Sequence, residues 1–208
     1  KAVMDGTHIT AIRTGGGAAV STRALAREDA KVLAILGAGV QGRSHLETVG
    51  RVRDFQEVRI ASRNPEHARA FAAETSATAF DTFEEAVRGA DVVCCCTSAA
   101  EPILRREWLD SGTHLTSVGS SMEGPELDRE TVTAGLLVIE SRVAFQPPPA
   151  GSHELEGLEP SDAVELGEVL SGTHPGRSSD DQITVYKSMG HAVEDAAAAA
   201  LVLRASES

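Results

Sequence analysis

The sequence is poor in aromatic residues and in cysteine. Aromatic residues make up 3% of its 208 residues, so we expect a core built mainly from Val, Leu, Ile and Ala. The three cysteines are adjacent, from Cys94 to Cys96, and neighbouring residues on a strand point to opposite faces of a sheet. Cysteines placed in this way form neither a disulfide framework nor a tetrahedral metal site. We therefore predict buried, reduced thiols and no bound metal.

Basic residues are scarce relative to acidic ones. The chain has 19 Lys and Arg against 31 Asp and Glu, which gives a formal net charge of −12. Nucleic acids and anionic membranes bind basic surfaces, so the charge argues against both as partners. The longest apolar runs, near Val92–Cys96 and Ala196–Leu203, are too short to span a bilayer. No charged and then apolar leader indicates export, and we expect a cytoplasmic protein.

A glycine-rich loop between a strand and a helix is the main motif of the chain. Residues Val32 to Leu36 form an unbroken apolar run, which predicts a strand buried on both faces of a parallel sheet. The spacing G-x-G-x-x-G follows, and we predict a helix over Val40–Val49. Such glycines allow a tight turn, close approach of the backbone to a pyrophosphate, and close packing of the helix on the sheet. The predicted dinucleotide contacts in this loop are Gly37, Gly39, Val40, Gln41 and Gly42.

Strands and helices alternate regularly after this loop, which predicts an α/β fold with a Rossmann-type doubly wound parallel sheet. The further predicted strands are Glu57–Ala61, Ala77–Phe80, Asp91–Cys96, His114–Val118 and Leu136–Glu140. Asn64 with Pro65, and Thr82 with Glu85, are patterns typical of helix starts.

We predict that the segments on either side belong to a second, incomplete substrate and dimerisation domain. Residues 1–27 are expected to form a strand over Thr7–Thr14, a break at Gly15–Gly17 and a helix over Ala18–Ala26. Residues 28–146 form the dinucleotide-binding domain in this prediction. Gln146 and the proline run at 147–149 mark the exit from the sheet. Residues 147–208 then hold a short helix over Ala163–Leu170 and a long Ala-rich helix over Thr184–Ala205.

The residues after the second predicted strand bear on the choice of dinucleotide. Ser62 and Arg63 offer a hydroxyl and a guanidinium, which suit the 2′-phosphate of NADP(H). Glu57 begins this strand, whereas an acid that binds the ribose of NAD lies at the strand's end. We therefore expect NADP(H) in preference to NAD(H). The alternative is that Arg63 is a solvated loop cation.

Four stretches together resemble the ornithine cyclodeaminase/mu-crystallin family. They are Met4–Thr14, the loop Gly37–Gly42, Val118–Ser120 with Glu126–Asp128, and Ile183–Gly190, and their order and spacing cover nearly the whole chain. The resemblance implies an NAD(P)-dependent protein. Its members include ornithine cyclodeaminases, amino-acid dehydrogenases, cyclic ketimine reductases and NADPH-binding crystallins.

The resemblance also implies roles for single residues. Arg13 would bind the α-carboxylate of the substrate, which a guanidinium matches with paired hydrogen bonds, and the alternative is a structural salt bridge at a strand end. Ser188 would lie near the nicotinamide. Residues after the fourth and fifth predicted strands lie at the carboxyl edge of the sheet, where ligands bind. These further cofactor contacts are Thr97, Ser98, Val118 and Gly119.

The acid or base is the part of the site that the sequence leaves open. Cyclodeaminases of the family carry an Asp at the position that matches Ser121 here, and Glu123 is the nearest carboxylate, so both are candidates. The family's N-terminal portion, with a substrate-binding Lys and a further Arg, is not part of this sequence.

We predict an NAD(P)-dependent oxidoreductase that transfers hydride at the α-carbon of an amino or imino acid. A ketimine or pyrroline-2-carboxylate reductase, or an amino-acid dehydrogenase, fits this description. The alternatives are an ornithine cyclodeaminase, which is an ammonia lyase, and an NADPH-binding crystallin-like protein or inactive fragment without turnover. We expect a homodimer.

Overall fold

The computed structural model describes residues 2–119 and 123–206. The described residues form one sheet of eight strands in the order β3-β2-β1-β4-β5-β8-β6-β7. In chain order these are β1 Val32–Leu36, β2 Glu57–Ala61, β3 Thr78–Phe80, β4 Val92–Cys95, β5 His114–Ser117, β6 Leu136–Ile139, β7 Val164–Glu165 and β8 Thr184–Lys187. All pairings are parallel. The predicted α/β fold with a doubly wound parallel sheet is confirmed.

Seven α-helices in the described residues connect and cover these strands. They are α1 Gly6–Leu25, α2 Val40–Val49, α3 Pro65–Ala73, α4 Phe83–Val87, α5 Arg129–Val132, α6 Leu166–Leu170 and α7 Ala192–Ser206. The predicted helix starts are confirmed, because the Asn64 side chain accepts a hydrogen bond from the N–H of Glu66, and Thr82 with Glu85 forms a capping box.

Strand β1 lies at the centre of the core. Ala34 and Leu36 pack with the cluster on one face of the sheet, whereas Leu33 and Ile35 pack with the cluster on the other. All four side chains are fully buried. Neighbouring residues on a strand face opposite ways, so a strand buried on both faces must be apolar throughout. This is the arrangement that the apolar run predicted.

The predicted strand over Thr7–Thr14 is wrong, because α1 runs without interruption through the glycines. Asp5 caps the helix by accepting hydrogen bonds from the N–H groups of Thr7 and His8. At Gly15, α1 packs so closely on α2 that a Cβ there would lie 2.5 Å from Ser44 Oγ. Glycine disfavours a helix by about 1 kcal/mol relative to alanine. Close packing of α1 on α2 outweighs that cost.

The predicted long helix over Thr184–Ala205 is also wrong in its first part. Residues Thr184–Lys187 form β8, which is inserted between β5 and β6 and is buried throughout. Gly190, with φ of 79°, follows the strand, and α7 begins only at Ala192. A segment of four residues is too short for its periodicity to distinguish a buried strand from a helix.

The sequence predicted that the chain leaves the sheet at the proline run, and this prediction is wrong. In addition to β8, residues Val164–Glu165 form edge strand β7, so the helix predicted from Ala163 begins at Leu166. Residues after 146 therefore contribute two strands to the sheet. The division into a substrate and dimerisation domain and a dinucleotide-binding domain stays a prediction.

The cysteines lie where the fourth strand ends. Cys94 and Cys95 are fully buried in β4, whereas Cys96 lies beyond the strand and is half-buried. The prediction of a buried strand cysteine therefore fails for Cys96. Burial raises the pKa of the Cys94 thiol to about 12 and raises the pKa values of Cys95 and Cys96 as well. All three are therefore protonated near neutral pH.

Within the described ranges, no helix is long and apolar enough to cross a membrane. The same residues contain no group of three or more His, Cys, Asp or Glu side chains placed to hold a metal ion.

Candidate cofactor and substrate site

An open cleft of about 270 Å³ lies at the carboxyl ends of β1, β2 and β4. It brings together six of the residues predicted to bind a dinucleotide, and these are Gly37, Gly39, Ser62, Arg63, Thr97 and Ser98. The sequence prediction missed other lining residues, which are Ala38, Asn64, His67, Phe83, Cys96, Ala99 and Ile103. In open parallel sheets, ligands bind in such a crevice where the strand order reverses, and here the order reverses between β1 and β4.

The glycine loop has the geometry of an anion cradle. Gly37 has φ of 119°, and its N–H donates to the carbonyl oxygen of Ala61, which ties the loop to the end of β2 at 2.8 Å. Gly39 caps α2 without a side chain, and no described atom lies within 4 Å of the position that a Cβ would take there. An open helix N-terminus with exposed N–H groups fits the pyrophosphate of a dinucleotide.

The first turn of α2 has a separate structural role on its inner side. Val40 is exposed and Gln41 is half-buried. The imidazole Nδ1 of His45 donates to the backbone oxygen of Gln41 at 2.7 Å. Burial lowers the pKa of His45 to about 4, so the ring is neutral near pH 7. His45 therefore packs the helix against the sheet and carries no charge towards the cleft.

The end of β2 presents Arg63 to the cleft. The Arg63 side chain is exposed, and it has no ion-pair partner among residues 2–119 and 123–206. Glu57 lies at the opposite end of the strand and pairs with Arg59 at 2.7 Å. The Glu57 carboxylate is therefore at the end of β2 away from the cleft, whereas the Arg63 guanidinium is at the cleft.

Arg13 lies on α1 and is paired with two carboxylates of α7. Its Nη1 is 3.1 Å from Glu194 Oε2, and its Nε is 3.4 Å from Asp195 Oδ1. The guanidinium also lies against the backbone of Gly190, close to the segment that contains Ser188. The helical position and the partners Glu194 and Asp195 were not predicted. The salt bridge that the sequence left as an alternative is thus present, although its place is a helix and not a strand end.

Glu140 lies beside the same segment. Its Oε1 accepts a hydrogen bond of 2.7 Å from the N–H of Met189, which follows the buried Ser188. Burial is the main cause that raises the pKa of Glu140, although hydrogen bonds from Ser188 and Met189 oppose it. The sequence prediction missed this carboxyl group.

Thr97 and Gly119 are joined by a buried carboxylate that was not predicted as a site residue. Glu126 accepts hydrogen bonds from the backbone N–H groups of both, at 2.7 and 3.0 Å. Ser121, one candidate for the acid or base, lies outside the described residues, and Glu123, the other, is exposed. The roles of both stay predictions.

Residues 1–208 match the model of the Ornithine cyclodeaminase/mu-crystallin family. The chain belongs to the ornithine cyclodeaminase/mu-crystallin family. The resemblance found in the sequence is thereby confirmed.

Relatives within the ornithine cyclodeaminase/mu-crystallin family include named reductases. The ketimine reductase mu-crystallin of Mus musculus is 42% identical over 204 residues, which cover 97% of this chain and 64% of that protein. A Delta(1)-pyrroline-2-carboxylate reductase of Bacillus cereus is 38% identical over 207 residues, covering 93% and 63%. The chain thus spans less than two thirds of the length of these relatives.

The fold of this family member also matches a solved structure. Delta(1)-pyrroline-2-carboxylate reductase of Thermococcus litoralis, solved in complex with NADH and L-proline, superposes with a TM-score of 0.88 at 35% identity. The match covers 95% of this chain and 65% of that one.

Proposed function

We propose that this chain is the cofactor-binding part of an NAD(P)-dependent oxidoreductase that acts at the α-carbon of an amino or imino acid. The cleft carries the proposal, because the glycine loop, Arg63 and Thr97 line one cavity at the carboxyl edge of the sheet. The open helix N-terminus suits one phosphate of a dinucleotide, and the guanidinium beside it suits another. Two relatives named as reductases, and a related structure with NADH and L-proline bound, support a cyclic imino acid as the substrate.

Each part of the site has a distinct task in this proposal. The N–H groups at the start of α2 hold the pyrophosphate, and Ser62 with Arg63 holds the 2′-phosphate of NADP(H). Arg13 binds the substrate's α-carboxylate and so orients the α-carbon. Ser188 lines the nicotinamide end. The nicotinamide supplies the redox chemistry by exchanging a hydride with that α-carbon.

Arg63 gives a direct test of the preference for NADP(H). Replacement Arg63→Ala should raise the Kd for NADPH at least about tenfold, because a hydrogen bond to a charged group is worth about 1.5–3 kcal/mol. The Kd for NADH should change less than about twofold. Arg69→Ala is the matched control, because Arg69 pairs with Glu66 and Asp81 and does not line the cleft. Tighter binding of NADH than of NADPH by the parent chain would contradict the preference.

Activity is tested by following NADPH absorbance at 340 nm with pyrroline-2-carboxylate, and with pyruvate and ammonia. The measurement should use the full-length gene product as well as this chain, because the named relatives are longer. No absorbance change with these substrates or with common amino acids would contradict an oxidoreductase. Release of ammonia from L-ornithine would instead support a cyclodeaminase, and micromolar NADPH binding without turnover would support a crystallin-like binding protein.

We also propose a cytoplasmic homodimer. Helix α7 exposes apolar side chains at Val193, Leu201 and Val202, and α1 exposes Ile12. Exposed apolar surface of this kind supports association between copies. Residues 1–27 and 147–208 would provide much of that contact and of the substrate side. Light scattering should give about twice the chain mass of 21.8 kDa, and a monomer at micromolar concentration would contradict it. Cell fractionation tests the location.

A further inference from the structure

Three charged side chains are buried together under the carboxyl ends of β4, β5 and β8. Lys187 is 0% exposed, Glu126 is 1% exposed and Glu154 is 7% exposed. We call these three residues, with Ser117, the strand-end cluster. Burying a charge is costly unless it is paired and hydrogen-bonded. The buried charges of the cluster must therefore be stabilised by the groups that they bind.

Glu126 connects the ends of β4 and β5. Its Oε1 accepts hydrogen bonds from Thr97 N at 2.7 Å and Thr97 Oγ1 at 2.6 Å. Its Oε2 accepts from Ser117 Oγ at 2.8 Å and Gly119 N at 3.0 Å. Each oxygen thus takes two donors from one strand end. A carboxylate with four donors fixes the distance between the two segments that it joins.

Lys187 holds the same segment from β8. Its Nζ donates to Gly119 O at 2.6 Å, to Ser117 Oγ at 3.2 Å and to Glu154 Oε1 at 3.0 Å. All three ammonium hydrogens therefore have acceptors. Burial would raise the pKa of Glu154, but Lys187 and hydrogen bonds outweigh burial and leave it below its ordinary value. Glu154 is thus the ionised partner of Lys187.

Gly119 is hydrogen-bonded on both sides by the cluster. Glu126 binds its N–H and Lys187 binds its carbonyl oxygen. Its Cα lies so close to the Glu126 carboxyl group that an added Cβ would overlap it. Gly119 follows β5, on the side of the switch point away from Arg63. A dinucleotide bound across that switch point with its adenosine half at Arg63 would extend its nicotinamide half towards Gly119.

We propose that Glu126 and Lys187 are positioning residues for the nicotinamide half of the cofactor. This inference rests on the proposed function. Neither side chain needs to touch the cofactor, since Glu126 acts through Thr97 and the N–H of Gly119, and Lys187 acts through the carbonyl oxygen of Gly119. In the proposed function the glycine loop and Arg63 hold the adenosine half, and among the described residues neither Glu126 nor Lys187 has a side-chain hydrogen bond to them. Loss of the strand-end cluster should therefore weaken binding of the whole dinucleotide and spare binding of its adenosine half.

The test compares NADPH with 2′,5′-ADP, which lacks the nicotinamide, by titration calorimetry on the whole chain. NADH with ADP-ribose is a second pair, which makes the comparison independent of the preferred dinucleotide. Lys187→Met and Glu126→Gln should raise the Kd for NADPH about tenfold or more, and the Kd for 2′,5′-ADP less than about twofold. Lys187→Arg keeps the charge and should recover part of the NADPH affinity. Binding of 2′,5′-ADP also reports that each variant is folded.

Matched controls are Lys31→Met, just before the amino end of β1, and the exposed Glu130→Gln. Both should bind NADPH and 2′,5′-ADP as the parent does. Equal loss of both ligands in the two cluster variants would overturn the inference, because the cluster would then support the fold as a whole. Unchanged NADPH affinity would overturn it too. If the parent binds no dinucleotide, the proposed function fails and the inference fails with it.

Discussion

The contact of Gly42 in α2 with Gly37, which follows β1, gives a sharp test of the glycine loop. Replacement Gly42→Ala adds one methyl group that would overlap the carbonyl oxygen of Gly37, 3.1 Å from the carbonyl carbon of Gly37 and 3.4 Å from Ile35 Cγ2. The oxygen is backbone, so either the helix or the loop must move. Overpacking of a buried site costs about 1–3 kcal/mol, and the helix preference of alanine over glycine offsets up to about 1 kcal/mol.

We therefore expect Gly42→Ala to lower the free energy of unfolding by about 1–2 kcal/mol. For a chain of this length, that corresponds to a fall in Tm of about 2–8 °C. The displaced loop should also bind NADPH about tenfold more weakly, a loss of about 1.4 kcal/mol. Thermal unfolding followed by circular dichroism gives the first value, and a fluorescence titration with NADPH gives the second.

Gly16→Ala is the matched control, since it makes the same chemical change inside a helix. No described atom lies within 4 Å of the position of its added Cβ. Alanine should stabilise α1 there by about 0.5–1 kcal/mol and raise the Tm by about 1–4 °C. NADPH affinity should not change. A Gly42→Ala chain with the parent's Tm and NADPH affinity would refute the assignment of this contact as the one that shapes the loop.

Three further outcomes follow from buried and paired charges. Burial lowers the pKa of His114 from 6.5 to about 3, so in that range the unfolded chain binds a proton that the folded chain does not. The contribution of His114 to stability must therefore fall as the pH falls below about 6.5. Between pH 7 and pH 5 the free energy of unfolding in urea should decrease by about 1–2 kcal/mol less in His114→Gln than in the parent. Equal decreases would contradict this. Asp91 accepts hydrogen bonds from Arg27 at 2.5 Å and from two backbone N–H groups at the start of β1. Asp91→Ala should cost about 2–3 kcal/mol of unfolding free energy, and a Tm within one degree of the parent would argue against it. Glu194→Gln removes one of the two carboxylates that pair with Arg13 and leaves Asp195 in place. It should strengthen binding of L-proline in the presence of NADPH up to about fivefold, since a partly exposed ion pair is worth up to about 1 kcal/mol; weaker binding would mean that the pair supports the carboxylate site.

Local rules were sufficient to predict the centre of the sheet. The apolar run Val32–Leu36 is short and is followed at once by spaced glycines, and the two signals together identify a strand covered on both faces. The same holds for the helix that begins after Asn64, because side-chain capping and Pro65 act within one turn. These predictions depend on residues that lie close together in the sequence.

The errors arose where distant residues decide the outcome. Gly15 belongs to a helix because α2 packs against it, and the sequence of α1 does not reveal this contact with α2. Lys187 belongs to the stretch Ile183–Gly190 that resembles the family, and it lies among buried strand residues, where it pairs with Glu154, 33 positions away. A lysine within a run of apolar residues is a usable sign of a buried ion pair, because an unpaired buried charge is unstable. Its partner cannot be inferred from sequence spacing.

The position of β8 has a consequence for how the chain reaches its native state. This strand is the last in sequence, but it lies between β5 and β6. During synthesis, β1 to β5 can assemble first, whereas β6 and β7 have no partner in that sheet until residues 184–187 have left the ribosome. Pairings between segments far apart in sequence form slowly and leave strand edges exposed in the meantime. We therefore expect a late folding step with an aggregation-prone intermediate, and strong dependence of soluble yield on translation rate and chaperones.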